Sequence, residues 1–188
     1  VDYSSGSGDR TLIFNYTVAY GDTSSDLRYT SPAALALNSG TILDGAGNAA
    51  ILTLAEPGAS NSISAAKALI LDTSLPTIAA VTSTAANGNY KLDDTIPITI
   101  TFTEAVTVNT DNGTPTLTLE TGTTDAVVNY ISGTGTSTLT FNYTVAAGEN
   151  SADLDYADTT ALRLNGGTIL DVAGNAATIT LPVPGASN

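Results

Sequence analysis

The chain contains no cysteine, histidine, methionine or tryptophan, and it has few basic residues. Without cysteine no disulfide can form, although the lack of cysteine does not by itself fix the compartment. Without histidine or cysteine, the side chains that most often carry acid–base and thiol catalysis are missing. No phosphate-binding glycine loop or dinucleotide-binding motif is present. The sequence therefore indicates a protein that is not an enzyme.

Acidic residues far outnumber basic ones. There are 18 Asp and Glu residues against 5 Lys and Arg, and the formal net charge is -13 at pH 7. Such a surface repels nucleic acid and anionic lipid, and no apolar run is long enough to span a membrane. We therefore expect no nucleic-acid partner and no membrane insertion of this segment. Two interpretations of the charge remain open: it keeps the chain soluble, or it attracts cations.

The most informative positive feature is an internal repeat. Residues 1–61 align without a gap onto residues 128–188, and about two-thirds of the aligned positions are identical. For example, Thr11–Val18 (TLIFNYTV) returns as Thr138–Val145 (TLTFNYTV). A unit of this length can bury its own core. The repeat therefore indicates domains in a tandem array, and we interpret the chain as a window of that array.

Apolar and polar residues alternate along several segments, which is the period of a half-buried strand. The side chains that the clearest alternation directs inward are Ile96, Ile98, Ile100, Phe102, Leu139, Phe141, Tyr143 and Val145. With turns rich in Asn, Asp and Gly between them, the predicted strands are 1–4, 10–18, 34–37, 49–54, 64–71, 76–83, 95–102, 105–109, 114–120, 125–131, 137–145, 161–164 and 176–181. This pattern predicts an all-β fold of antiparallel β-sandwiches. Pro97 inside a strand predicts that the strand is at an edge or bulged there.

The boundary between the two repeats is predicted in the segment Asp72–Pro76. Residues 1–72 would be the C-terminal part of one repeat, with its last strand between Ser62 and Leu71. Residues 73–188 would be a second repeat that lacks its final strand within this chain. Because incomplete sheets expose backbone donors and acceptors, two explanations remain open. Either the neighbouring sequence lies outside this window, or other copies of the chain supply the missing strands by β-strand exchange.

Three motifs together resemble a known family. Asp72–Pro76 (DTSLP), Phe102–Val106 (FTEAV) and Asp171–Asn175 (DVAGN) are similar to the pattern of bacterial immunoglobulin-like tandem repeats in large cell-surface proteins. That family includes adhesins and the cyanobacterial surface protein involved in swimming. The resemblance implies tandem immunoglobulin-like or cadherin-like sandwiches on the extracellular bacterial surface, with neighbouring repeats of the same protein as partners. It also implies frequent Ca²⁺ binding near domain junctions.

The residues of this sequence support one kind of functional site, a calcium-binding site. Ca²⁺ takes about six to eight oxygen ligands from carboxylates, amide oxygens and backbone carbonyls. The candidate ligands lie in the linker, in the FTEAV motif and in the two Asp-x-Ala-Gly-Asn segments: Asp72, Glu104, Asp44, Asn48, Asp171 and Asn175.

The predicted geometry of this site has one competing interpretation. If strand ends of adjacent domains meet at the junction, Asp44 and Asn48 would converge with Asp72 and Glu104, and a bound ion would stiffen the hinge. In the alternative, each Asp-x-Ala-Gly-Asn segment is only a hairpin turn, in which Gly and Asn take positive φ and Asp caps the backbone locally.

Two functions of different class follow from the sequence. The first is a structural repeat in a surface stalk, filament or adhesin, whose task is reach and stiffness. The second is an adhesive module that binds glycan or protein through loops at one end of the sandwich. Aromatic residues make up only 6% of the chain, which favours the first function because sugar-binding surfaces need exposed rings.

Overall fold

The computed structural model describes residues 1–185 of the chain. These residues form two compact units, of which the first is Val1–Thr73 and the second begins at Ser74. The fold is all-β, with antiparallel sheets that make a curled, sandwich-like structure. Among the described residues the only helix is a single turn. The predicted fold class is confirmed.

The first unit contains little regular structure. Its elements are β1 (Tyr3–Ser5), β2 (Ile13–Phe14) and α1 (Ile63–Ala66). Strands β1 and β2 pair as an antiparallel hairpin with one irregularity in the register. The predicted strands 34–37 and 49–54 are wrong, because this part of the chain forms loops, which single backbone hydrogen bonds such as Leu54 N–H to the Pro32 carbonyl and one isolated bridge between Leu43 and Ala49 hold together.

The predicted strand 64–71 is also wrong, since its first half is the helical turn α1. Ser62 caps this turn, because its Oγ accepts a hydrogen bond from the backbone N–H of Ala65 at 3.3 Å, as Ser does at helix N-termini. The backbone is extended again at Lys67, and the end of the segment pairs with the loop after β2: the carbonyl of Leu69 accepts the N–H of Leu27 at 2.8 Å, and Leu71 forms a bridge with Ser24. A capping serine followed by two alanines thus overrides the apolar alternation that suggested a strand.

The second unit contains eight described strands, and every pair of them is antiparallel. The strands are β3 (Ile78–Ser83), β4 (Thr95–Asn109), β5 (Thr116–Glu120), β6 (Ala126–Ser132), β7 (Thr136–Thr144), β8 (Asp155–Tyr156), β9 (Leu162–Arg163) and β10 (Thr168–Leu170). Their order is β10-β4-β7-β6-β5-β8, with β3 paired to β4 and β9 paired to β5.

Strand β4 connects the parts of this structure. Its first half lies between β3 and β7, and its second half pairs with β10. The register with β7 runs regularly to the pair Thr101–Thr138 and then shifts before Val106–Thr136, which is the signature of a bulge. The sequence predicted two strands here, with Glu104 in the gap. The prediction is wrong in that the backbone continues through the bulge as one strand.

Pro97 lies where β4 loses one neighbour. The pairing of β4 with β3 ends at Ile98–Ser83, whereas its register with β7 is regular on both sides of Pro97. The carbonyl of Pro97 accepts a hydrogen bond from the Ser83 hydroxyl at 2.7 Å, so the side of the strand that lacks an N–H faces the end of β3. Of the two alternatives, the structure has a local edge and no bulge at this proline.

The short strands β8 and β10 were not predicted, and the predicted strand 176–181 is absent. Residues Ala176 and Thr178 make only isolated bridges, to Leu170 and Thr77. Two- and three-residue strands carry too few positions to show an alternation in sequence.

The core of the second unit consists of apolar side chains from both ends of its sequence. The buried apolar residues are Ile96, Ile98, Ile100, Phe102, Val106, Leu117, Leu119, Val128, Leu139, Phe141, Tyr143, Tyr156, Ala161, Leu162, Ile169 and Leu181. The inward-facing residues predicted on β4 and β7 are among them. Val145, also predicted to face inward, is half-buried and packs against this core.

The two copies of the repeat share local hydrogen bonds but differ in burial. Tyr16 donates to Asp22 at 2.5 Å in the first copy, and the equivalent Tyr143 donates to Glu149 at 2.7 Å. Yet Tyr16 is 43% exposed and Tyr143 only 4%. In the second unit β4 pairs with β7 beside Tyr143, and apolar residues of β4 and β5 belong to the same core. The first unit has no counterpart of these two strands among its described residues.

We predict that the same substitution in the two copies has very different effects on stability. Phe141 is fully buried, so Phe141→Ala leaves a cavity and should cost about 3–5 kcal/mol of unfolding free energy. Phe14 is 40% exposed, and Phe14→Ala should cost less than about 1 kcal/mol. Urea unfolding followed by circular dichroism measures both. Equal losses would contradict the difference in packing.

Candidate cation site

Two carboxylates of the second unit approach each other where β4 and β10 pair. One carboxylate oxygen of Glu104 lies within 4.8 Å of one of Asp171. The register explains the approach: β10 ends with Leu170 opposite Thr107 of β4. Because the strands are antiparallel, Asp171 continues along β4 towards the bulge that carries Glu104. Two anionic groups this close repel each other in the absence of a counterion.

Asp171 is held in place by its own turn. Its Oδ1 accepts the backbone N–H of Asn175 at 2.8 Å, and its Oδ2 accepts the Asn175 side-chain amide at 2.7 Å. The main chain closes the same turn, because Asp171 donates its N–H to the carbonyl of Asn175 at 3.0 Å. Gly174 takes φ 93°, a conformation that favours glycine. Asp171 as a whole residue is only 4% exposed.

The turn keeps the buried carboxylate ionised. Burial raises the pKa of Asp171, but hydrogen bonds from the Asn175 side chain and from the backbone of Asn175, Ala173 and Gly174 together outweigh it, so the pKa is lowered from 3.8. The two carboxylate oxygens together have about four lone-pair sites, and the hydrogen bonds within the turn occupy most of them. A charged, oriented carboxylate is the kind of oxygen ligand that Ca²⁺ requires, and a bound ion would compete with the hydrogen bonds of the turn for its lone pairs.

The first copy contains the same turn in an exposed setting. Asp44 accepts the N–H of Asn48 at 2.8 Å and the Asn48 side-chain amide at 2.9 Å, and Gly47 takes φ 89°. The side-chain hydrogen bond from Asn48, with those from the backbone, lowers the pKa of Asp44. Among the described residues, Asp44 belongs to no group of three or more carboxylates close enough to share an ion.

The hairpin interpretation of both segments describes their local geometry well. Both glycines take positive φ as predicted, whereas Asn48 and Asn175 do not. In both turns the asparagine presents its amide nitrogen to the aspartate, so its structural role is to orient the carboxylate. The ligand roles of Asn48 and Asn175 stay predictions.

The remaining candidate, Asp72, lies at the end of the first unit. It directly follows Leu71, whose backbone pairs with Ser24, and it is half-buried. Next to it, the hydroxyl of Thr73 accepts the N–H of Gly21 at 3.0 Å and donates to the carbonyl of Asp22 at 3.2 Å. The end of the unit is thus tied to the loop that follows β2. The ligand role of Asp72 stays a prediction from the sequence.

Comparisons of the chain with protein-family models, with curated proteins and with solved structures gave no match. None of the helical structure in residues 1–185 has the length and apolar character needed to cross a bilayer.

We predict that Asp171→Asn destabilises the second unit at neutral pH. The substitution removes charge-assisted hydrogen bonds from a buried position, at a cost of about 2 kcal/mol. Because the folded-state pKa of Asp171 is lowered, its stabilisation is present above the unfolded pKa, near 3.8, and is lost as pH falls through the folded value. The gap between the two proteins should therefore close below about pH 4.

Asp44→Asn is the matched control for this measurement. It changes the same turn where it is exposed, so its effect at neutral pH should be much smaller. Urea unfolding of both variants from pH 3 to pH 7 tests the prediction. A gap for Asp171→Asn that is constant over this range would show that ionisation of Asp171 is not the source of the stabilisation.

Proposed function

We propose that this chain is a structural repeat of an extracellular bacterial surface stalk, filament or adhesin, with Ca²⁺ as a stiffening ion. The single observation that supports this function best is the duplication itself. A long segment recurs with the same turns and the same tyrosine–acid hydrogen bonds. Serial copying of one β unit builds length, and length with stiffness is what a surface stalk needs.

The composition supports the same function. A net charge of -13 keeps an extended array soluble. The motifs that resemble bacterial immunoglobulin-like surface repeats support the extracellular, cell-surface setting. Neighbouring repeats of the same protein are then the natural partners.

The carboxylate pair supports the calcium part of the proposal. Glu104 and Asp171 lie close together, and the turn around Asp171 keeps its carboxylate charged. A divalent cation between them would replace repulsion by attraction. The sequence offers Asp72 as a further carboxylate, and backbone carbonyls or water would complete the coordination.

Calcium titration tests this part directly. We expect calorimetric heat with a dissociation constant in the range of extracellular calcium modules, about 0.1–1 mM, and a lower melting temperature after chelation. Glu104→Gln should weaken binding by at least about tenfold, because the ligand set loses a charge. Glu120→Gln is the control, since Glu120 is an exposed carboxylate elsewhere, at the end of β5. No heat, or an equal loss in both variants, would refute the calcium site.

The structural role has a separate test. Antibody raised against the chain should label intact cells of the source organism, and small-angle scattering of the protein should report an elongated particle. Labelling only after lysis would contradict the surface location. A spherical particle would contradict the role as an elongated stalk or filament.

A groove in the second unit supports the alternative function, an adhesive module that binds glycan or protein. It has a volume of about 630 Å³ and is lined by Tyr90, Asn87, Asn89 and the loop around Ser151. Tyr143 and Tyr156 also border it, but they are 4% and 7% exposed and donate hydrogen bonds to Glu149 and to the carbonyl of Pro182. Only Tyr90 presents an accessible ring, whereas sugar binding usually uses apolar stacking faces together with polar groups.

The alternative has its own experiment. If the groove binds glycan, a glycan array should give saturable binding that Tyr90→Ala reduces by at least about tenfold. Val172→Ala, at an exposed position outside the groove, is the control. Absence of binding by the unmodified chain would leave the structural function as the better account.

A further inference from the structure

The first unit exposes apolar side chains whose copies form or contact the core of the second unit. We call residues 74–127 the front half of the repeat, and residues 1–61 and 128–185 its two back halves. The exposed residues in the first back half are Val1, Tyr3, Phe14, Tyr16, Val18 and Leu37. Their equivalents are all buried or packed against the core in the second unit.

Particular contacts on this exposed side already match those of its buried copy. Tyr3 and Phe14 meet edge to face with ring centroids 6.1 Å apart and an interplanar angle of 72°, and Tyr130 and Phe141 show the same two values. Tyr29 donates to the carbonyl of Ala55 at 2.6 Å; its copy does the same across 26 residues at 3.0 Å. The first back half is therefore prepared for a covering layer, which lowers the entropic cost of receiving one.

The second unit shows what that layer is. The front half contributes Ile96, Ile98, Ile100, Phe102, Val106, Leu117 and Leu119 to the core. Strand β4 brings the first three opposite β7, in the pairs Ile96–Tyr143, Ile98–Phe141 and Ile100–Leu139. Shifted to the first copy, the same register would place β4 residues opposite Tyr16, Phe14 and Leu12.

Two further features of the first unit are compatible with a front half packed on this side. Gly133 in the second copy and Gly6 in the first both have positive φ, 112° and 109°, and both approach a backbone carbonyl too closely for any side chain. The hairpin on which β4 packs is therefore built the same way in both units. Residues around Phe14 retain unsatisfied strand edges, since β2 has only β1 as a sheet neighbour among the described residues.

We infer that the exposed side of the first unit is a docking surface for a front half from another copy of this repeat. Insertion adds strands equivalent to β3, β4 and β5 and completes a second sandwich. The inference deepens the proposed structural function, on which it rests, because it names the partner of each back half. Strand complementation between copies then links successive units through the same core that stabilises each of them.

The test supplies a second front half to the full chain. We would place a copy of residues 74–127 before Val1, joined by a flexible linker, and follow amide hydrogen exchange by mass spectrometry. With two front halves and two back halves, each back half has a partner whichever pairing forms. Exchange across 10–18 should slow by at least about 100-fold, to the level of 137–145. Peptides from the two copies are distinguishable because a third of their positions differ.

A matched control carries Ile98→Asp and Ile100→Asp in the added front half only. Charges on the buried face prevent insertion, so one back half should again exchange as fast as residues 1–61 of the unmodified chain. Fast exchange over 10–18 with the unmodified addition would overturn the inference. Equal protection by both additions would overturn it as well, because the cover would then not depend on apolar insertion. Either failure leaves the calcium and surface-location measurements unaffected.

Discussion

The burial of one face of β4 is the interaction on which the second unit depends. Ile96, Ile98, Ile100 and Phe102 are buried in the common core, and the three isoleucines lie beside the buried residues of β7 in the same sheet. Burial of apolar side chains is the largest favourable term in folding. The same strand pairs with β3, β7 and β10. Strand β4 therefore joins these three neighbours into one curled, sandwich-like structure. Side chains from distant parts of the sequence then meet in one core.

The first unit shows what the repeat retains without such a strand. Its turns, its β1–β2 hairpin and its tyrosine–acid hydrogen bonds match those of the second copy. These features join residues close in sequence, so they form without a covering layer. Burial does not follow, and Ser62 is the only residue of the first unit that is buried in the structure. Local structure and core formation are thus separable in this repeat.

The candidate cation site likewise combines a local turn with a contact that only the tertiary structure makes. The turn from Asp171 to Asn175 is local and recurs at Asp44, so the motif alone specifies an oriented carboxylate. Its approach to Glu104 requires β10 to pair with β4. If calcium stiffens this protein as proposed, the ion would act on a site that only a completed sandwich assembles. Strand insertion and cation binding would then be coupled in each unit.

The sequence by itself determined the all-β class, the inward faces of β4 and β7 and the turns at glycine, because alternation and backbone preferences are local properties. It misassigned 64–71, where Ser62 starts a helical turn, and it divided β4 at Glu104, because a bulge looks like the end of a strand. Only the tertiary structure decided that Phe141 is buried and Phe14 exposed, although the residues around them are nearly the same. The physical reason is that a side chain is buried only when other residues cover it. In the second unit β4 pairs with the strand that contains Phe141, and the first unit has no such strand beside Phe14 among its described residues.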